Sequence, residues 1–221
     1  MKIFAATVRK PVALGYRHAA KLPQNMTLFL AICLGIGLAL AVGLRPFLPA
    51  LLACALARGD AGIDFEHTDV AFMEKPAFLL ALLIGVIVLV AMERRYGPEH
   101  VSSGPFGAAI AGIGLALGAL LFGGALQDHH YAFGIGLIAG IACAALAEAA
   151  ARGFFESTRR RLDREAAGTL PFYAEVAALV LAGLSVLAPP VALVAFAFLV
   201  WLLLNQRRRA GRKYAGLRIL R

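Results

Sequence analysis

Long, apolar, almost uncharged runs are the feature that most constrains this chain. Met26–Leu44 is nineteen residues without a charge, and Gly104–Leu126 is twenty-three. About 20 residues of helix cross the roughly 30 Å hydrocarbon core of a bilayer, so runs of this length predict transmembrane helices. Further apolar runs occupy residues 77–92, 131–151, 170–188 and 191–204. The pattern predicts an all-α, polytopic membrane helix bundle with about six transmembrane spans.

The composition agrees with a membrane protein and disfavours other classes. Of the 221 residues, 61% are hydrophobic and 16% are charged, whereas soluble proteins carry about 25% charged residues. This excludes an ordinary soluble enzyme, a disordered chain and a disulfide scaffold. Cys33, Cys54 and Cys143 lie inside apolar runs, where cysteine behaves as a small hydrophobe. Phosphate-loop, serine-hydrolase and zinc-protease motifs are absent from the sequence, so we predict neither an enzyme nor a metal or cofactor site.

Basic flanks dominate the charge of the chain, which is +9 overall. Residues 1–25 contain five Lys or Arg and no acid, and residues 205–221 contain seven and no acid. Such flanks are typical of cytoplasmic segments that contact anionic lipid, rather than of nucleic-acid binding. We therefore predict a basic cytoplasmic N-terminal segment (1–25), a transmembrane domain (26–204) and a basic cytoplasmic tail (205–221), in an inner membrane with both termini inside.

The loops between the runs indicate which face each one occupies. Residues 58–75 contain five acids, and residues 127–130 contain one acid and no Lys or Arg. Both segments are therefore predicted to be external loops. Residues 93–103 and 152–169 are rich in arginine, which predicts cytoplasmic loops. With both termini inside, Pro189–Pro190 is predicted to be the external turn of a final hairpin, which gives six spans.

The first apolar run is too long for one crossing. Residues 26–57 would form a helix about 48 Å long at 1.5 Å per residue, well beyond the hydrocarbon core. Gly43, Pro46 and Pro49 surround Arg45 in this run, and a proline removes a backbone donor and disfavours helix at the residue before it. The segment is therefore predicted to be tilted, broken near Arg45–Pro46, or folded partly back.

Arg45 is the most informative single residue. A charge within a span costs a few kcal/mol or more unless it is paired or hydrated. One interpretation is a contact with an anion or a carboxylate at a broken helix. The other is that the side chain reaches the external interface, since nineteen apolar residues precede it from the inner side.

Glu148 and Glu175 are the acidic candidates for a solute or ion pathway, because each interrupts an apolar run toward the predicted cytoplasmic half. For Glu148 the simpler alternative is an ion pair with Arg152, one helical turn away. Glu175 has no cation within four residues. Glu93, by contrast, is expected to pair with its neighbours Arg94 and Arg95.

Small residues at spacing four indicate close helix packing, because they let backbones approach where lipid gives no hydrophobic drive. The positions that share this pattern are Gly35, Gly114, Gly118, Gly136 and Gly140. The hexapeptide Gly-Ile-Gly-Leu-Ala-Leu occurs at 35–40 and again at 112–117, either as a duplication or by chance.

The segment Gly-Leu-Arg-Pro-Phe-Leu-Pro at 43–49 resembles a bacterial integral-membrane family, domain-of-unknown-function family 4126. The resemblance continues through the glycine-rich run from Gly104 and through Leu170–Pro171 before the last hydrophobic hairpin, covering most of residues 26–204. The family's polar positions are only partly matched at 147–152 and 170–175, which implies a divergent member. The resemblance implies a membrane protein in which Arg45 matters, and it implies no activity.

Two functions remain open at this point. A small transporter or channel for a small solute or ion is suggested by the broken first run, because discontinuous helices form transporter sites. Arg45 would then contact an anionic group, and Glu175 or Glu148 would couple protons. A non-catalytic scaffold or accessory subunit, binding other membrane proteins, a second copy or anionic lipid, is suggested by the small-residue faces and the basic tail. A water-accessible cavity at Arg45 and the acids would favour the transporter.

Overall fold

The computed structural model describes residues 24–97, 101, 104–159 and 169–215, and all regular structure in these residues is helical. The helices are α1 (Gln24–Leu44), α2 (Phe47–Arg58), a short 3-10 helix (Ala71–Glu74), α3 (Pro76–Tyr96), α4 (Gly104–Asp128), α5 (Phe133–Arg159), α6 (Leu170–Leu187) and α7 (Val191–Ala215). The predicted all-α helix bundle is therefore confirmed.

Six of the seven α-helices are long and apolar enough to cross a membrane, as predicted. The exception is α2, whose twelve residues extend only about 18 Å. Prolines begin α3 and α6, where their missing N–H has no helical partner. Pro189–Pro190 forms the turn between α6 and α7.

The first apolar run is broken, as one of the three alternatives predicts. Helix α1 ends at Leu44 and α2 begins at Phe47. Because Pro46 has no N–H, the helical hydrogen bond to the carbonyl of Val42 is missing there. Arg45 still donates its N–H to the carbonyl of Ala41 at 3.1 Å, which closes the last turn of α1.

Helix α2 runs back along α1 instead of continuing away from it. At the start of α2, Arg45 contacts Glu175 near the beginning of α6. Just after α2, Gly62 lies against Val186 near the end of α6. Helix α2 therefore covers the distance between the two ends of α6, and α1 and α2 form a re-entrant hairpin with Arg45 at its tip.

The two ends of the bundle can now be distinguished. We call the end that carries residues 59–75 and Pro189–Pro190 the loop face. The opposite end, where α3 finishes at Tyr96 and α5 at Arg159, is the tail face.

Contacts of α1 with its neighbours show the direction of this helix. Gly35 lies against Phe122 in the second half of α4, whereas Val42 lies beside Gly114 in the first half of α4. Helix α1 is therefore antiparallel to α4 and starts at the loop face. Residues 26–57 cross the bundle and return, as the alternative of a segment folded partly back predicts. Helix α1 therefore starts at the face opposite to the one on which α7 ends, which does not fit the prediction that both ends of the chain lie on one face. Residues 1–23 lie outside the described part, so a cytoplasmic N-terminal segment stays a prediction.

Helix α1 is the centre of the bundle and packs against α2, α4, α5, α6 and α7. Glycines allow its closest approaches: a Cβ added at Gly43 would meet the carbonyl oxygen of Ala144 in α5. The remaining predicted packing glycines lie at contacts between α4 and its neighbours, namely Gly114, Gly118, Gly136 and Gly140. Helix α3 lies at the edge of the bundle and packs mainly against α2 and the 3-10 helix. This arrangement leaves a space between α3 and the central helices.

Candidate functional site

Arg45 lies between two carboxylates at the tip of the hairpin. Its Nη1 is 2.6 Å from Oε1 of Glu93 on α3, and its Nε is 3.4 Å from Oε2 of Glu175 on α6. The three side chains are only 15%, 18% and 23% exposed. We call Arg45, Glu93 and Glu175 the Arg45 triad.

Arg45 closes the last turn of α1, and the break that follows at Pro46 turns the chain back into α2. Irregular backbone at membrane depth is tolerated only where protein or a hydrated cavity surrounds it. The triad meets that condition, because both carboxylates come from helices that flank the hairpin tip.

Of the two interpretations of Arg45, the structure shows the carboxylate contact. The side chain of Arg45 is directed at carboxylates of the bundle and is only 15% exposed, whereas the side of the membrane that this end of the bundle faces stays a prediction. The expected pairing of Glu93 with Arg94 and Arg95 is also not what forms, since Glu93 pairs with Arg45, 48 residues away. Glu93 is thus a site residue that spacing along the chain could not identify.

A cavity of about 620 Å³ adjoins the triad, bounded by α3, α4, α5 and the hairpin tip. Its volume falls within the range of roughly 300–1,000 Å³ that is typical of small-molecule sites. The charged residues that line it are Arg45, Glu93, Glu148, Arg152 and Glu156. Much of the remaining lining is apolar and includes Leu89, Ile110, Leu115 and Phe155.

The sequence-predicted acids reach this site in different ways. Glu148 lines the cavity and forms an ion pair with Arg152, one turn further along α5. Glu175 is not part of the cavity wall and contacts Arg45 from the side of α6. Among the described residues, the cavity wall and Glu175 together contain two arginines and four glutamates.

A packed layer separates the triad from the loop face. Leu38 of α1, Cys54 of α2 and Leu121 of α4 are all fully buried there. The three cysteines of the chain are reduced and buried, as their apolar surroundings predict. The described residues contain no group of three His, Cys, Asp or Glu that could hold a metal ion.

Residues 59–75 fold over the loop face and close it further. Phe65, Val70 and Met73 of this segment are buried in the same apolar cluster as Leu38, Cys54 and Leu121. The carboxylate of Glu74 accepts the N–H of Phe65 at 2.5 Å. Burial raises the pKa of Glu74, and the nearby acids Asp64, Glu66 and Asp60 raise it further against the opposing effect of that hydrogen bond.

Comparisons with models of protein families, with curated proteins and with solved structures find no match to this chain. The resemblance to family 4126 therefore stays a prediction. The class of the protein follows from the fold itself, because the bundle contains six long apolar helices, one of which (α1) forms the re-entrant hairpin with α2. The chain is a multi-pass integral membrane protein.

Proposed function

We propose that this protein is a small transporter or channel that moves a small solute or ion, with the cavity beside the Arg45 triad as its binding site. The observation that carries the proposal is a charged triad held at the tip of a re-entrant hairpin, next to a cavity of about 620 Å³. A broken helix that presents charge within the bundle is the arrangement on which many transporter sites are built.

Stability alone is a weak explanation for the triad. Replacing a buried ion pair by well-packed apolar side chains is often neutral or stabilising, because removing charges from water is costly. Ionisable residues inside membrane segments are accordingly rare, and most mark substrate or proton pathways. Glu175 and Glu148 are the groups we propose to exchange protons during transport.

Charge distribution supports an orientation for the proposed transporter. Exposed arginines gather at the tail face, including Arg94, Arg95, Arg152, Arg207 and Arg208. Acidic residues gather in the segment 59–75 at the loop face. The excess of positive charge favours a cytoplasmic tail face in an inner membrane, with anionic lipid beside the arginines.

The scaffold alternative has less support. The small-residue faces that suggested it are used inside the bundle, where Gly118 and Gly140 bring α4 and α5 together. An assembly with a second copy or with another membrane protein is compatible with transport, so it does not compete with the proposal.

Cysteine accessibility from each side of the membrane tests the water-accessible pathway that transport requires. One protein keeps only the native Cys54, with Cys33→Ala and Cys143→Ala. A second lacks all native cysteines and carries Ala111→Cys in the cavity wall. We expect a membrane-impermeant maleimide to label position 111 from the tail face and Cys54, slowly, from the loop face.

Exposed positions calibrate each side: Glu66→Cys for the loop face and Arg94→Cys for the tail face. If the maleimide does not label position 111 from either side, the cavity is dry, which would contradict transport through it. Complete protection of Cys54, with the calibration positions fully labelled, would mean that the packed layer never opens and would favour the scaffold.

A further inference from the structure

We infer that the solute taken by this cavity is a small organic cation, of the class of protonated alkylamines, which takes the place of Arg45 beside Glu93. The inference rests on the proposed function and adds the charge of the solute. It also replaces the expectation that Arg45 binds an anionic group.

Both arginines in the cavity wall are already neutralised by carboxylates of the chain. Arg45 is held between Glu93 and Glu175, and Arg152 is paired with Glu148. An anionic solute at Arg45 would have to displace Glu93 or Glu175 and leave that carboxylate without a cation, although these side chains are only 18% and 23% exposed. Such an exchange is unfavourable, because an uncompensated charge in this environment is costly.

Among the described residues that line the cavity or contact Arg45, carboxylates exceed guanidinium groups. Even without Glu156, three carboxylates face two arginines, since Glu93 and Glu175 share Arg45. The surplus negative charge attracts a cation into the cavity, where low-dielectric walls strengthen the interaction.

The geometry of the triad leaves room for an exchange of partners. Glu93 faces the cavity and holds Arg45 at 2.6 Å, whereas Glu175 lies outside the cavity wall at 3.4 Å from the same side chain. A cation that binds Glu93 from the cavity leaves Arg45 its second partner, Glu175. Arg45 therefore never loses all its charge compensation during the exchange.

The lining indicates an organic cation instead of a bare metal ion. Leu89, Ile110 and Phe155 present apolar surface beside the carboxylates, and a volume of about 620 Å³ far exceeds that of a single ion. Apolar walls with a few convergent polar groups are typical of sites for small organic molecules. An alkylammonium ion matches both parts of this lining.

Charge-selective labelling of the cavity tests the inference without knowledge of the solute. The protein without native cysteines and with Ala111→Cys is placed in nanodiscs of neutral phosphatidylcholine, so that both faces are accessible. Methanethiosulfonate reagents that carry a trimethylammonium or a sulfonate group are compared, each rate being divided by its rate with free 2-mercaptoethanol.

We expect the normalised ratio to favour the cationic reagent by about tenfold or more, as expected for one surplus charge within several ångströms. Glu93→Gln should lower the ratio several-fold, whereas Glu66→Gln on the exposed loop should leave it unchanged. Ethylammonium chloride should slow labelling at concentrations at which sodium acetate has no effect. The ratio itself requires no substitution in the triad, so it remains decisive if Glu93→Gln does not fold.

Equal normalised rates, or a faster sulfonate, would overturn the cation inference while leaving a water-accessible cavity and the transporter proposal in place. Slower labelling of position 111 in the presence of sodium acetate, but not of ethylammonium chloride, would have the same meaning. If neither reagent reacts until the protein is unfolded, the cavity is dry and both proposals fail.

Discussion

Arg45 depends on distant partners for its place inside the bundle. An unpaired charge within the span would cost several kcal/mol, and the side chain avoids this by contacting carboxylates from α3 and α6. The same contacts hold α3, because this edge helix packs mainly against α2 and the 3-10 helix. The bond between Arg45 and Glu93 therefore ties the second half of α3 to the bundle.

Removal of the Arg45 charge should destabilise the protein strongly. Arg45→Gln leaves Glu93 and Glu175 close together without a cation, and we expect a loss of about 2–3 kcal/mol, at or just below the range for breaking a buried pair because the side chains are partly exposed. Denaturant unfolding in detergent measures the loss. Adding Glu93→Gln should recover part of it, since one of the two uncompensated carboxylates is then neutral.

Arg152→Gln is the matched control for Arg45→Gln. Its side chain is 58% exposed and its partner Glu148 lies one turn away. Exposed ion pairs of this kind contribute less than about 1 kcal/mol, so the control should unfold almost like the parent protein. Equal losses for the two variants would contradict the role assigned to the Arg45 triad.

The re-entrant hairpin depends on backbone contact at the end of α1. Gly43 lies so close to α5 that a Cβ would meet the carbonyl oxygen of Ala144, and the Cα of Ala144 would lie at 2.8 Å. These are backbone atoms, which cannot rotate away as the end of a flexible side chain can. The position of the hairpin tip, and with it the position of Arg45, is therefore sensitive to the volume at residue 43.

Gly43→Ala should loosen the hairpin, at a cost of about 1–3 kcal/mol, because overpacking forces the helices apart. The control Gly112→Ala adds the same methyl group on α4 where no atom lies within 4 Å. It should leave stability unchanged or raise it by up to about 1 kcal/mol through the higher helix propensity of alanine. Unfolding temperatures in the same detergent compare the two. A Gly43→Ala variant as stable as Gly112→Ala would show that α1 and α5 do not approach as closely as described.

Consecutive helices run in opposite directions across the bundle when α2 is included. Helix α1 runs from the loop face to the hairpin tip, α2 returns, and α3 to α7 then alternate so that α7 ends at the tail face. The described chain therefore starts and finishes at opposite faces, although only six of its helices are long enough to span a membrane.

Single cysteines in the cysteine-free protein test this topology. Met26→Cys, at the start of α1, should react with an impermeant reagent from the same side as Glu66→Cys in the loop 59–75. Arg207→Cys on α7 should react only from the opposite side. All three side chains are exposed. Labelling of positions 26 and 207 from the same side would restore the single crossing predicted from charge and would contradict the re-entrant hairpin.

Properties of residues that are neighbours in sequence determine the helices of this fold, without reference to tertiary contacts. Run lengths near 20 apolar residues specify spanning helices, because a bilayer offers no water to an unpaired backbone. Pro46 specifies the break after α1, because a proline lacks the N–H that an uninterrupted helix requires. Both properties depend on residues that are neighbours in sequence, and both are found in the structure.

Tertiary structure alone decided how the chain continues after that break and what Arg45 touches. The return of α2 is a consequence of packing against α1, α3 and α6, and the charge of the flanking loops contains no information about it. The carboxylate of Glu93 lies 48 residues from Arg45 in sequence, so no local pattern connects them. The Arg45 triad exists because an ion excluded from water must find opposite charge in space, and the fold of the entire bundle sets where that charge lies.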